Sequence, residues 1–238
     1  MKQDTGFLLR LPQQHILYHT LPCSIRPWLL ISGGRAPEAS WMRQLTGYDV
    51  CWAADHGIDF CHETGLVPDH LIGDGDSARP DAWSWAESHA VPTERYPAAK
   101  DFTDTQLAVR KIKSEGAAFL ILTGVFGGRT DHLFSTLFST ASAKLPCCLA
   151  DEKESVLFVQ SGQSVSVQFL RRPKAVSLLP ISRQCSGVTI DHVRWPLNQA
   201  VLTQSFPQAI SNELSTEENT IHLSVSTGTL CLYCCWEE

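Results

Sequence analysis

The sequence predicts a two-part chain: a mostly parallel α/β sheet domain over residues 1–148, then a C-terminal antiparallel β-sandwich over residues 149–238. Three observations lead there. The first half repeats strand, loop and helix, the order that builds a parallel sheet with helices on its faces. The polar clusters of this half fall just after apolar strands, where ligands of such sheets bind. After about residue 145 helical periodicity gives way to short β-rich runs separated by Gly, Pro, Asn or Ser.

Residues 28–32 read as a buried strand ending at the Gly33-Gly34 turn, and residues 38–45 as a helix. Residues 49–54 are strand-like and stop at Asp55-His56-Gly57. A short strand over 70–72 runs into the acidic loop Gly73-Asp74-Gly75-Asp76-Ser77, and residues 82–89 read as a helix. Residues 104–115 place Leu107, Ala108 and Ile112 on one side of a helix that Gly116 stops. Residues 119–123 form a strand, and residues 132–143 a further helix. In the second half, residues 156–159, 164–170, 175–179, 200–202, 220–225 and 229–235 read as strands, and 164–170 alternate almost strictly.

With 238 residues, 43% of them hydrophobic, the chain has enough apolar material for a packed core. Its net charge of −6, with no Lys/Arg-rich block, disfavours nucleic acid as a main partner, because binding a phosphate backbone needs a basic face. Its longest apolar runs are too short to span a bilayer. Met1-Lys2-Gln3-Asp4 lacks the start of a signal peptide. Nine cysteines with no regular framework read as reduced thiols acting as small hydrophobes, so a cytoplasmic protein is expected. A zinc site is the weaker alternative, since the ligand spacing is wrong for one.

The acidic loop carries the strongest chemical signal. Asp74 and Asp76 could be plain turn formers. Two carboxylates so close nevertheless repel unless a cation or a donor intervenes, and oxygen ligands suit Mg²⁺. Lys100-Asp101-Phe102-Thr103-Asp104 precedes a helix. Capping explains Asp101 or Thr103, but capping needs only one residue, and helix N-termini also attract phosphate. Gly127-Gly128-Arg129-Thr130-Asp131-His132 opens another helix. Its glycines allow backbone N–H groups near an anion, Arg129 can clamp phosphate oxygens, and Asp131 can ligate metal or orient Arg129. His132 alone is more often structural than catalytic. The segment is neither a Walker A loop nor a dinucleotide fingerprint. In the β-rich half, Trp195 reads first as a core residue and Ser211-Asn212-Glu213 first as a hairpin turn.

Taken in order, Ala53-Ala54-Asp55-His56-Gly57, residues 68–77, residues 100–104, residues 127–132 and Ser211-Asn212-Glu213 resemble the thiamine pyrophosphokinase family from about residue 28 onward. The resemblance implies magnesium-dependent transfer of the β,γ-diphosphoryl group of ATP to the hydroxyl of thiamine, giving thiamine diphosphate and AMP. It implies that Asp74, Asp76 and Asp104 hold Mg²⁺ and the diphosphate. Asp55, Ser77, Lys100, Asp101, Thr103, Gly127, Gly128, Arg129, Asp131 and His132 then surround the nucleotide phosphates. Trp195 is expected to stack on the thiamine pyrimidine, with Ser211 and Asn212 hydrogen-bonded to it. A homodimer with the site at the subunit interface is also implied. His56 stands where the family typically has a second glycine, Gly75 stands where Phe is common, and residues 204–210 lack the usual glycines and carry Pro207. Two alternatives stay open: a diphosphokinase for another hydroxymethyl acceptor such as a pterin, and a non-catalytic thiamine or nucleotide binder.

Overall fold

The computed structural model of the chain describes residues 6–97 and 101–237. Among these, one compact unit takes in residues 6–25, 40–46 and 152–237, and a second takes in residues 26–39 and 47–151.

In chain order the elements are β1 (Gly6–Leu11), β2 (Gln14–Pro22), β3 (Trp28–Ile31), α1 (Ala39–Gln44), β4 (Cys51–Ala54), α2 (Gly57–Thr64), β5 (His70–Gly73), α3 (Pro80–Ser88), β6 (Thr93–Arg95), α4 (Asp104–Ser114), β7 (Leu120–Thr123), α5 (Thr130–Ser142) and β8 (Cys147–Ala150). Then follow β9 (Glu154–Val159), β10 (Gln163–Phe169), β11 (Ala175–Pro180), β12 (Gln184–Ile190), β13 (Leu197–Thr203), β14 (Ala209–Asn212), β15 (Thr220–Val225) and β16 (Leu230–Cys235).

The α/β unit is built on six parallel strands in the order β8-β7-β3-β4-β5-β6. Every residue of β4, β7 and β8 is buried, as expected for parallel strands covered on both faces. The chain moves outward from β3 through β4, β5 and β6, then returns to the other side of β3 with β7. Strand order therefore reverses at β3, and the loops after β3 and β7, joined by the Gly34 N–H to the Gly124 carbonyl at 2.6 Å and the Arg35 N–H to the Phe126 carbonyl at 2.7 Å, form part of the wall of a crevice at the carboxyl ends.

The β-rich unit holds two antiparallel arrays, β1-β2-β10-β15-β12-β13 and β14-β11-β16-β9. In β10, Val165, Val167 and Phe169 face inward and alternate with more exposed residues. The Phe169 ring lies 6.3 Å from that of Trp236, which follows β16. Gln14 of β2 donates its side-chain amide to the Ser155 hydroxyl of β9 at 2.7 Å, a buried hydrogen bond between the two arrays. This is the face-to-face packing of a sandwich.

The expected α/β-then-sandwich order is modified at its start. Residues 6–22 are a hairpin whose second strand pairs with β10, so this stretch belongs with the β-rich unit and not with the 1–148 domain. Its inward positions are Gln14, Ile16 and Tyr18, and the polar Gln14 hides the apolar alternation. Also unexpected from sequence are α2, β6, β8, β12 and β14; β6 and β14 are only 3 and 4 residues long. No helix among the described residues is long and apolar enough to cross a membrane.

Candidate active site

The crevice at the switch point opens into a cleft of about 850 Å³. Its walls come from the loops after β3 (Ser32, Gly33, Gly34), β4 (Asp55, His56), β5 (Asp74, Asp76, Ser77) and β7 (Gly124, Gly127, Gly128), together with the starts of α4 and α5. Four strand ends thus deliver the polar clusters that the sequence separates by tens of residues.

Three carboxylates meet there. One oxygen from each of Asp55, Asp74 and Asp104 lies within 4.8 Å of the others. Asp55 follows β4 with φ at +49°, a left-handed conformation that Asp tolerates better than most residues. Its N–H donates to the Ile72 carbonyl at 2.8 Å, which ties the loop after β4 to β5. The Ser77 hydroxyl donates to Asp55 Oδ2, whereas Asp55 Oδ1 is buried without a hydrogen-bond partner. A buried carboxylate oxygen left unpaired is costly, and a cation is its natural complement. The all-oxygen donor set fits a hard divalent ion such as Mg²⁺.

This geometry revises the expected ligand set. Asp55, expected only near phosphate, belongs to the triad. Asp76 lines the cleft but is exposed and stands beside the triad; its N–H donates to Asp74 Oδ1 at 3.1 Å in a local turn. Its carboxyl is pushed above the usual carboxylate range, first by a hydrogen bond with Asp74 and then by the charges of Asp74, Asp55 and Asp104. Like charges so close disfavour the ionised form of Asp76 unless a cation offsets them. Ser77 spends its hydroxyl proton on Asp55, which makes it a positioning residue for the triad.

The phosphate-binding candidates behave differently from one another. Thr103 is the N-cap of α4: its hydroxyl accepts from Gln106 N at 3.2 Å, and the Gln106 side chain accepts from Thr103 N at 2.9 Å. A hydroxyl that accepts a cap bond keeps its own proton for an anion, so the capping and phosphate-binding readings are compatible. Asp101 and His132 line the cleft. Gly127 and Gly128 both have positive φ, +69° and +63°, a run that suits glycine and leaves the loop free of side chains before α5. Arg129 is exposed and forms a two-pronged pair with Asp131, at 3.1 and 2.6 Å. That pairing holds the Asp131 carboxyl below the usual range. Asp131 thus pairs with Arg129, the contact through which it would orient that guanidinium. Lys100 lies outside the described residues.

Two departures from the family pattern find local explanations. A Cβ on Gly33 would come within 2.7 Å of the His56 Cβ, so the bare backbone at 33 makes room for His56. The His56 ring is held by the Ser77 carbonyl oxygen at 3.1 Å and Asp59 Oδ2 at 3.2 Å. At position 75, φ is +76° and a Cβ would meet the Trp83 ring at 3.3 Å; Trp83 fills the space a larger residue would claim.

Sequence reading passed over Ser32, Thr105 and Gln106. The hydroxyls of Ser32 and Thr105 lie 3.1 Å apart and join the loop after β3 to α4. Gln106 Nε2 donates to the hydroxyl oxygens of Ser139 at 2.7 Å and Ser135 at 3.2 Å, which ties α4 to α5. A single small polar residue next to a Gly-Gly turn was the only available signal for Ser32.

In the β-rich unit, Trp195, Ser211 and Asn212 do come together, along a groove of about 600 Å³ that also includes Leu197 and Ile210. Trp195 is 53% exposed and is therefore not a core residue, and the Arg194 guanidinium lies 4.7 Å from its ring centroid. Ser211 and Asn212 end β14 and do not form a hairpin turn. Asn212 is buried, and its amide grips the Trp195 backbone: Oδ1 accepts from Trp195 N at 3.1 Å, and Nδ2 donates to Trp195 O at 2.8 Å. Asn212 thus holds the Trp195 backbone in place.

Comparison with known proteins gives the family. The model of the thiamin pyrophosphokinase catalytic domain matches residues 42–149, and that of the thiamin pyrophosphokinase vitamin B1 binding domain matches residues 164–230. Thiamine pyrophosphokinase of Bacillus subtilis is 26% identical over 192 residues, covering 78% of this chain and 88% of the relative. The crystal structure of a Bacillus subtilis thiamine pyrophosphokinase superposes with a TM-score of 0.77 at 20% identity, over 89% of this chain and 100% of that one. That of thiamin pyrophosphokinase from Geobacillus thermodenitrificans gives 0.75 at 25% identity, over 89% and 98%. With the two domain models together spanning most of its length, the chain belongs to the thiamin pyrophosphokinase family.

Proposed function

We propose that the cleft of the α/β unit carries out magnesium-dependent diphosphoryl transfer from ATP to the hydroxyl of thiamine, giving thiamine diphosphate and AMP. The observation that carries the reading is the Asp55–Asp74–Asp104 triad at the strand-order switch point, with Asp55 Oδ1 buried and unpaired. Family membership supplies the acceptor.

Such transfers ask a protein mainly for positioning and charge neutralisation. Asp55, Asp74 and Asp104 would hold Mg²⁺, which offsets negative charge on the transferring phosphates. Backbone N–H groups at Gly127 and Gly128 and the guanidinium of Arg129, aligned by Asp131, face the same anions. Thr103 donates its free hydroxyl proton, and Lys100 adds a second cation. Asp104 takes the proton of the attacking hydroxyl. Trp195 offers the face not covered by Arg194 for stacking of the thiamine pyrimidine, with Ser211 beside it and Asn212 behind it. The reading includes a homodimer and a cytoplasmic setting; nine cysteines, eight of them buried, suit a reducing compartment.

The test is AMP formation from ATP and Mg²⁺ with thiamine, with a hydroxymethyl pterin, and with no acceptor. The reading requires AMP to appear with thiamine alone. Release with the pterin alone moves the acceptor, and tight thiamine binding without AMP makes the protein a binder.

A further inference from the structure

The outer face of the β1-β2-β10-β15-β12-β13 sheet brings together a second set of chemical groups, remote in sequence from the acidic loops. Strand alternation sends Val165, Val167, Ile221 and Leu223 inward and leaves Ser166 and His222 on the outside. Register pairs Ser166 with His222, and Ile190 of β12 with Leu223. The residue after Ile190 is therefore delivered beside His222. It is Asp191, whose Oδ1 accepts the His222 N–H at 3.1 Å. His192 follows with φ at +59°, uncommon for a residue other than glycine. Its ring stands 5.4 Å from that of His222, at 65° to it. One ligand atom from each of Asp191, His192 and His222 lies within 4.8 Å of the others.

Both imidazoles are already held through Nδ1. His192 Nδ1 is 2.9 Å from the Thr220 carbonyl oxygen. A carbonyl only accepts, so Nδ1 carries the proton and Nε2 keeps its lone pair. His222 Nδ1 is 2.7 Å from Ser166 Oγ, which is in turn 2.8 Å from His19 Nε2. In the tautomer with Nδ1 of His222 donating to Ser166 Oγ, the Ser166 hydroxyl donates to His19 Nε2, and His222 Nε2 keeps its lone pair for a metal. Metal-binding histidines are held in just this manner by an outer partner on the second nitrogen. Glu218 Oε2, 3.6 Å from His192 Nδ1, adds negative charge at the edge.

We infer that Asp191, His192 and His222 form a binding site for a divalent transition metal, with Zn²⁺ the best-matched ion, closed by water. Two nitrogens and one carboxylate oxygen suit Zn²⁺, whereas the all-oxygen triad of the cleft suits Mg²⁺. The ion joins the corner after β12 to β15, its neighbour in the sheet.

The test is Zn²⁺ calorimetry and Co²⁺ absorption on the full chain in saturating Mg²⁺, which occupies the cleft. The variants are His222→Asn, on an exposed strand face, and Asp191→Asn, which keeps an oxygen to accept the His222 N–H. The site predicts one equivalent of Zn²⁺, Co²⁺ bands typical of nitrogen and oxygen ligands, a raised unfolding temperature with Zn²⁺, and at least about tenfold weaker binding in each variant. Absence of stoichiometric binding, binding unchanged in both variants, or an intense thiolate-to-cobalt band overturns the assignment.

Discussion

At residue 55 one carboxylate oxygen accepts from Ser77 while the other is buried and unpaired. That asymmetry separates Asp55 from Asp76, its exposed neighbour in the cleft, and gives a kinetic prediction. Asp55→Asn should raise the Mg²⁺ concentration for half-maximal rate by at least about tenfold, since a ligand is lost; Asp76→Asn should shift it much less. Rates measured against Mg²⁺ concentration check both. Position 33 gives a second prediction, one of packing. Gly33→Ala drives a methyl into the His56 Cβ and should cost about 1–3 kcal/mol; His56→Gly in the same chain should restore most of the loss. Urea denaturation of the two single variants and the double variant measures the coupling. Asp131 gives a third. Its carboxyl is held down by Arg129, so the pairing stabilises the fold above the ordinary Asp range of about 4 and fades as pH falls through the lowered folded value. The difference in unfolding temperature between wild type and Asp131→Asn should therefore be constant above about pH 4 and shrink below it. Residue types revealed the acidic loop and the Gly-Gly-Arg segment, because their chemistry is unusual in sequence. They did not reveal that Asn212 serves the Trp195 backbone, since a side chain's partner depends on register that no local pattern encodes.

Helix α4 shows how one element serves fold and site together. Thr103 and Gln106 close a reciprocal cap, Asp104 sits in the first turn where negative charge is favoured, and Lys111 and Lys113 sit in the last. The same start of helix places Asp104 in the carboxylate triad. Thr103→Ala should destabilise by about 1 kcal/mol and also slow turnover, whereas Thr103→Ser should recover both. Thermal unfolding and steady-state rates separate the two effects. Elements with a strong period or a clear stop were readable from sequence: β15 falls on the expected residues 220–225, and α4 within one residue of 104–115. The missed elements share physical reasons. In α2, the helix starts at Gly57, whose bare backbone packs against the Ile31 carbonyl oxygen, so its first residue reads as a turn. Both β6 and β14 are too short to show a period. Within β12, Gly187 breaks the alternation, and the pairing with β13 shifts register there.

Across the whole molecule, sequence order and spatial order part company at the N-terminus. The β1–β2 hairpin covers β10, so a chain beginning at residue 26 should lose the cooperative unfolding of the β-rich unit and expose Val165 and Val167. Near-UV circular dichroism and limited proteolysis of that truncated protein test this. The α/β half was more legible because the loops carrying Asp55, Asp74 and the Gly127-Gly128 turn follow their strands within a few residues, so chain order already lists most parts of the cleft. The central claim is that this cleft moves two phosphoryl groups as one unit to thiamine. Phosphorus NMR of ATP, Mg²⁺ and thiamine turned over by the full-length protein tests it most directly. AMP and a diphosphate ester of thiamine should form in equal amounts; ADP with a thiamine monophosphate, or unchanged ATP in the presence of bound thiamine, would contradict that.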